Sequence, residues 1–135
     1  MDEMNVAATL ENLDTAMGFI EEHLVSYGCP ETAQMQVMLA AEEVYVNIAN
    51  YAYNPEVGPA TIQVEVHEAP LEVVITFMDN GKPFDPLAKG DPDITLSADD
   101  REIGGLGIFL VKQTMDDVHY EYTDGRNVLR IRKRL

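Results

Sequence analysis

The chain is short of cysteine and of long apolar runs, and both shortages limit what kind of protein it is. Its one cysteine, Cys29, cannot form an internal disulfide, which is typical of proteins kept in the reducing cytoplasm. No apolar run approaches the roughly 20 residues needed to cross a bilayer. The acidic start, Met1-Asp2-Glu3, lacks the positive charge of a signal peptide. We therefore expect a cytoplasmic protein without a membrane partner.

Basic residues are also scarce. The chain has 9 lysines and arginines against 24 acidic residues, which gives a formal net charge of −15. A protein that binds DNA or RNA normally presents a basic surface, so direct nucleic-acid binding is disfavoured. The basic stretch at 130–134 alternates with apolar residues and predicts a terminal strand with a charged outer face. An acidic protein can still bind ATP when local donors and a divalent cation neutralise the phosphates.

The length of 135 residues predicts a single domain covering 1–135. Hydrophobic periodicity predicts the order strand, helix, helix, strand, strand, long loop, helix, strand, strand. The predicted strands are 4–9, 60–67, 71–78, 118–123 and 128–135, and the predicted helices are about 13–27, 31–53 and 106–115. This order indicates an α+β fold: a two-layer α/β sandwich with a mixed, mostly antiparallel sheet covered on one face by three helices. The loop at 80–103 is long enough to predict a lid, at about 85–103.

The second predicted helix carries Glu43-x-x-x-Asn47, a carboxylate and a carboxamide one turn apart on one face. The neighbouring residues are largely apolar, and polar groups beside apolar surface cost free energy unless they bind something. An asparagine oxygen suits Mg²⁺ that is shared with phosphates, and Glu43 is placed to accept a proton. The alternative interpretation is a solvated edge of an amphipathic helix. Glu42 lies off the face that Glu43 shares with Asn47.

Two glycine-containing motifs follow. Asp79-Asn80-Gly81-Lys82-Pro83-Phe84 ends a predicted buried strand, where a carboxylate can accept a hydrogen bond from the amine of adenine and Gly81 allows a flat ring to approach. Gly104-Gly105-Leu106-Gly107 opens the last predicted helix, whose first N–H groups and dipole favour phosphate. The alternative interpretations are an Asp-Asn-Gly turn and a glycine-rich hinge.

Together the three motifs resemble those of a known family. The stretch at 41–53 resembles the N box of the GHKL ATPases, the Asp79 motif resembles their first glycine box, and the stretch at 104–112 resembles the second. The resemblance covers nearly the whole chain. Its length and the residues around the boxes are most similar to the stand-alone anti-sigma-factor serine kinases of bacteria.

This resemblance implies a Bergerat-type ATP-binding fold that uses ATP and Mg²⁺. It puts Glu43 at the position of the general base, Asn47 at the magnesium ligand and Asp79 at the adenine-binding carboxylate. It also implies phosphorylation of a serine on an antagonist protein, binding to that antagonist or to a sigma factor, and a homodimer. The other positions that it assigns to the nucleotide are Asn50, Gly81, Phe84, Lys89, Arg101, Gly104, Gly105, Leu106, Gly107 and Asn127.

The chain departs from the family at two places. Ile103 precedes the second glycine box where some members have a basic residue, so Lys89 or Arg101 in the lid is the candidate for the γ-phosphate. Asn127 follows Gly125-Arg126 where many members have Gly-Thr, and its amide can supply similar hydrogen bonds. Two alternatives stay open: a nucleotide-binding interaction module without kinase activity, and the isolated ATPase domain of a histidine kinase.

Overall fold

The computed structural model describes residues 1–68, 70–87 and 105–135. Most of the predicted lid, with Lys89 and Arg101, lies outside these ranges, and so do Gly104 and the side chain of Leu106. The strands are β1 (Asp2–Ala7), β2 (Pro59–His67), β3 (Glu72–Asp79), β4 (Asp117–Thr123) and β5 (Arg126–Arg134). The helices are α1 (Leu13–Ser26), α2 (Glu31–Asn47) and α3 (Gly105–Thr114), with a 3₁₀ turn at Leu10–Asn12 and a π-helical turn at Ile48–Ala52.

The five strands form one sheet in the order β1-β2-β3-β5-β4, and the three helices pack on one of its faces. The predicted α+β sandwich is therefore confirmed. The expectation of a mixed sheet is wrong for the described strands, since every neighbouring pair is antiparallel. Helix α3 returns the chain so that β4 runs parallel to β3, but β5 lies between them and no parallel pair forms.

Alternation along the strands places one apolar row of each against the helices. On β3, the buried residues Val73, Ile75 and Phe77 alternate with half-buried neighbours. This pattern is the period of two expected of a sheet with one covered face. The core is completed by apolar residues from the helices and the neighbouring strands, namely Ile20, Leu24, Val37, Val44, Tyr45, Ile62, Val64, Val111, Leu129 and Ile131.

The end of α2 differs from the prediction. The hydrophobic pattern predicts one helix to residue 53, but α-helical geometry ends at Asn47 and a π-helical turn, Ile48–Ala52, follows. Side-chain periodicity does not separate an α-turn from a π-turn over five residues, because both keep apolar residues on the core side. The π-turn changes the direction of the chain beside the end of β3, where Lys82 N donates to Ala52 O at 3.1 Å.

The β4–β5 hairpin is as predicted. Its turn residues Asp124 and Gly125 have positive φ angles of 54° and 77°, the conformation of a type I′ turn. This turn sets the pairing of Tyr120 with Leu129 and of Tyr122 with Asn127. None of the helices in the described ranges is long and apolar enough to span a membrane.

Candidate functional site

A cleft opens between α2, α3 and the neighbouring ends of β3 and β5. It contains about 450 Å³ of space, part of which is open to solvent. Most of its wall is apolar, and three polar side chains, from Asn47, Asp79 and Asn127, converge in it. The apolar lining residues are Val44, Ile48, Ala52, Phe77, Phe84, Pro86, Ile108 and Leu129, with the ring of Tyr120 beside them.

Asp79 and Asn127 form the polar floor of the cleft. They are directly paired across β3 and β5, and their exposed fractions are only 6% and 7%. Asn127 Nδ2 donates to Asp79 Oδ1 at 2.9 Å, and Gly81 N donates to the same oxygen at 2.9 Å. Among the described residues, none donates to Asp79 Oδ2. A buried carboxylate with one filled and one open oxygen is ready for a hydrogen-bond donor from a ligand.

The first glycine motif packs directly on the π-turn. A Cβ at Gly81 would lie 2.2 Å from the carbonyl oxygen of Ala52 and 2.8 Å from its Cβ. Only glycine fits there without backbone movement. The close approach lets Lys82 N reach Ala52 O, so the π-turn and the loop after β3 are held together at the cleft.

Glu43 and Asn47 lie one turn apart on α2, as predicted. Asn47 lines the cleft, Glu43 is half-buried, and Glu42 is exposed to solvent. Burial raises the pKa of Glu43 above its ordinary value, and the charge of Glu42 acts in the same direction, while a hydrogen bond with the Asn47 side chain opposes them. The carboxylate is therefore a stronger proton acceptor at neutral pH than an exposed glutamate.

The second glycine motif meets Glu43. A Cβ at Gly107, in the first turn of α3, would lie 2.2 Å from both Cδ and Oε1 of Glu43. The absence of a side chain at position 107 is what lets the carboxylate rest against this turn. Gly105 and Leu106 are the first helical residues of α3, and Ile108 lines the cleft. The fold thus joins parts of all three sequence motifs.

Two further predicted residues, Phe84 and Asn50, differ in their relation to the cleft. Phe84 lines the cleft and its ring centroid is 6.1 Å from that of Tyr51, and both side chains are 44% exposed. Asn50 is exposed and is not among the cleft-lining residues in the part of the chain that the structure describes. Its predicted contact with nucleotide stays a prediction.

Sequence reasoning missed two tyrosines. The Tyr120 hydroxyl donates to Asn127 Oδ1, and Tyr53 OH accepts a hydrogen bond from Asn80 N at 2.7 Å. The position of Tyr120 could have been predicted from the sequence. Tyr120 falls on the core side of β4 by alternation, and the nearby hairpin turn fixes the register of β4 with β5. No comparable signal marked Tyr53, since its contact depends on the course of the chain after the π-turn.

Comparison with known proteins agrees with this geometry. The family model of the histidine kinase-like ATPase domain matches residues 6–133. Serine/threonine-protein kinase BtrW of Bordetella bronchiseptica is 27% identical over 128 residues, which are 95% of this chain and 89% of BtrW. Serine-protein kinase RsbW of Listeria monocytogenes is 34% identical over 96 residues, 67% of this chain and 60% of RsbW. The match thus spans less than two thirds of the length of RsbW.

The fold also recurs in a solved structure. A chain in the crystal structure of the SiaB–SiaC complex from Pseudomonas aeruginosa superposes with a TM-score of 0.64 over 100% of this chain and 90% of that one, at 16% identity. At this identity the likeness concerns the fold alone. With three sequence motifs joined around one cleft and a family match over almost its full length, the chain belongs to the histidine kinase-like ATPase domain family.

Proposed function

We propose that the protein is an ATP-dependent serine kinase that phosphorylates an antagonist protein in a partner-switching pathway. The observation that carries the proposal is the position of Glu43, a half-buried carboxylate one turn from Asn47 and in contact with the first turn of α3. The similar proteins BtrW and RsbW are both named as serine kinases, which supports the same chemistry here.

The cleft suits ATP through the polar groups and the apolar wall that line it. The open oxygen of Asp79 is an acceptor for the exocyclic amine of adenine, and the apolar wall is suited to the faces of the base. Gly81 donates its backbone N–H to Asp79 Oδ1, and the N-terminal turn of α3 offers N–H groups to phosphate oxygens. We assign Asp79 and Gly81 to the base and Gly105, Leu106 and Gly107 to the phosphates.

The donor set also fits a magnesium ion. Within the described residues, no three histidine, cysteine or carboxylate side chains converge to form a metal site of their own. Mg²⁺ commonly uses one or two protein oxygens and completes its shell with phosphates and water, so the amide oxygen of Asn47 suffices as the protein ligand. Bound Mg-ATP would supply the phosphoryl group and the positive charge that offsets the phosphates.

Glu43 is the residue that we assign to proton transfer. Its carboxylate would accept the proton of the attacking serine hydroxyl, and the raised pKa makes that transfer more favourable near neutral pH. The contact with Gly107 holds the carboxylate at the phosphate-binding turn, which is where an acceptor serine has to arrive.

The partners follow from the same proposal. We infer an antagonist protein as substrate, a sigma factor as a second binding partner, a homodimer as the assembly and the cytoplasm as the compartment. Support comes from the resemblance to anti-sigma-factor kinases, and a protein of the same fold has been crystallised in a complex, that of SiaB with SiaC.

The test compares Glu43→Gln with the wild type, using labelled ATP and the antagonist domain encoded beside its gene. We expect Glu43→Gln to lose phosphate transfer by about 10²-fold or more while it still binds ATP in calorimetry. The matched control is Glu42→Gln, which changes the same charge on an exposed neighbour and should transfer phosphate close to the wild-type rate, because Glu42 is the smallest of the three influences on the pKa of Glu43. Equal loss in both variants would contradict the role of Glu43.

The same test can also reveal a second function, that of a nucleotide-binding interaction module without kinase activity. Ile103 stands where some family members carry a basic residue before the second glycine box, which favours a nucleotide-dependent interaction module. If the wild type binds ATP and its partner but transfers no phosphate to serine, the interaction module replaces the kinase. If the acceptor is instead a histidine of another protein, the chain is the ATPase domain of a histidine kinase.

A further inference from the structure

The side-chain amide of Asn127 uses its full hydrogen-bonding capacity inside the protein. Its nitrogen donates to Asp79 Oδ1 and to Lys82 O, both at 2.9 Å. Its oxygen accepts from Phe84 N at 3.1 Å and from the Tyr120 hydroxyl. A primary amide has two N–H donors and two acceptor lone pairs, so all four are engaged. The amide has no donor or acceptor left for a ligand.

The orientation of this amide is fixed by backbone groups. Phe84 N can only donate, so the atom facing it has to be the oxygen. Lys82 O can only accept, so the atom facing it has to be the nitrogen. The NH₂ group is therefore directed to Asp79, without the ambiguity that an isolated asparagine has.

Asp79 is oriented in turn. Asn127 and the backbone of Gly81 together fill Oδ1, which leaves Oδ2 without a donor from the part of the chain that the structure describes. The carboxylate presents only acceptor capacity there, so a ligand with a donor at this point is favoured over one with an acceptor. Adenine carries an amine at this position and guanine carries a carbonyl.

Tyr120, on β4, also holds the side-chain amide of Asn127 in place. Its hydroxyl joins Phe84 N on the amide oxygen and secures the side of Asn127 that faces away from Asp79. Burial raises the pKa of Tyr120, as do the charges of Asp85 and Asp79, so the hydroxyl stays protonated and able to donate at neutral pH.

We propose that Asn127 and Tyr120 are positioning residues for base recognition, which select adenine over guanine by fixing Oδ2 of Asp79 towards the base. Asn127 acts through Asp79 and the loop at Lys82–Phe84, and it does so without a hydrogen bond to the nucleotide. This inference rests on the proposed ATP site, and it adds Tyr120 and an indirect role for Asn127 to it.

The experiment measures ATP and GTP affinities by calorimetry for Tyr120→Phe, Asn127→Asp and the wild type. Tyr120→Phe removes one neutral hydrogen bond, so we expect about three- to tenfold weaker ATP binding and a lower ratio of ATP to GTP affinity. The matched control is Tyr122→Phe, two residues along the same strand and 46% exposed, which should leave both affinities unchanged.

Asn127→Asp replaces the donor facing Asp79 by a second carboxylate. We expect more than tenfold weaker ATP binding at neutral pH, with partial recovery at lower pH, where the shared proton restores a donor between the two oxygens. A role limited to stability would lower the melting temperature without changing the nucleotide preference or its pH dependence.

The outcomes separate this inference from the proposed function. Selective ATP binding by the wild type, with an unchanged ATP-to-GTP ratio in both variants, would overturn the positioning role and leave the ATP site in place. Failure of the wild type to bind ATP would overturn the site itself. If Asn127→Asp does not fold, Tyr120→Phe alone decides, because it removes a single oxygen atom.

Discussion

Gly107→Ala should separate phosphate transfer from folding. The added methyl carbon would lie 2.2 Å from Cδ and Oε1 of Glu43, and ordinary contact begins at 3.4 Å. The obstacle is the end of a flexible side chain, so Glu43 can retreat by about an ångström while the backbone stays in place. The variant should therefore fold with its base displaced.

The expected magnitudes follow from this geometry. Alanine is favoured over glycine inside a helix by about 0.5–1 kcal/mol, which offsets the lost contact at Glu43. The net change in the free energy of unfolding should stay within about 1 kcal/mol. A displacement of about 1 Å at a reacting group can cost about 10²-fold in rate, so phosphate transfer should fall by about 10- to 100-fold.

Gly81→Ala is the matched control, because its methyl would meet an obstacle at the same distance of 2.2 Å that cannot retreat. The obstacle is the backbone carbonyl of Ala52, which also accepts the hydrogen bond from Lys82 N. Backbone displacement and the loss of this bond should cost about 2–4 kcal/mol. At about 3–4 °C per kcal/mol for a chain of 135 residues, the melting temperature should fall by about 6–16 °C.

The assay combines thermal unfolding, ATP calorimetry and transfer of labelled phosphate to the antagonist domain. We expect Gly107→Ala to melt within about 4 °C of the wild type and to bind ATP, with slow transfer. Undiminished transfer would show that Glu43 does not need its position against α3. A melting temperature as low as that of Gly81→Ala would show that the contact is structural.

Two further predictions concern recognition and pH. Asp79→Asn should weaken ATP binding by about tenfold or more, since a charge-assisted hydrogen bond contributes about 1.5–3 kcal/mol, and calorimetry showing equal affinities for ATP and GTP in the wild type would remove Asp79 from the site. Burial alone would lower the pKa of His23, but hydrogen bonds to Phe19 O and Asp2 Oδ2, at 2.8 and 2.6 Å, raise it. A raised pKa means stabilisation that is full below the unfolded value of about 6.5 and is lost as the pH rises through the folded pKa. The difference in melting temperature between the wild type and His23→Gln should therefore shrink from pH 6 to pH 8.5, and a constant difference would refute the ion pair.

Local patterns were sufficient to predict most of the fold. Alternation identified β2, a dense apolar run identified β3, the Asp124-Gly125 turn identified the last hairpin, and helical spacing placed Glu43 and Asn47 on one face of α2. These features depend on residues close in sequence. The purely antiparallel sheet did not follow from them, because the insertion of β5 beside β3 is a long-range choice that periodicity does not encode.

The site was predictable in its residue types and much less so in its hydrogen bonds. The partnership of Asn127 with Asp79 requires the register of β5 against β3, 48 positions apart in the chain. The contact of Tyr120 adds the register of a third strand. The sequence suggests that Asn127 takes over hydrogen bonds made by a threonine elsewhere in the family, but the saturation of its amide is visible only in the structure.

The glycines show why motif order and spatial convergence are connected in this fold. Sequence reasoning assigned Gly81 and Gly107 to close approach by a nucleotide. Each glycine also allows close contact with another part of the protein. Gly81 packs against the carbonyl of Ala52, just after the Glu43-x-x-x-Asn47 motif, and Gly107 packs against the carboxylate of Glu43 in that motif. A side chain at either position would push a glycine motif away from α2 and its continuation. The lack of side chains at these two glycines therefore serves the packing of the cleft as well as the approach of a ligand. An effect of Gly81→Ala or Gly107→Ala on nucleotide binding has to be compared with its effect on stability before it is assigned to either role.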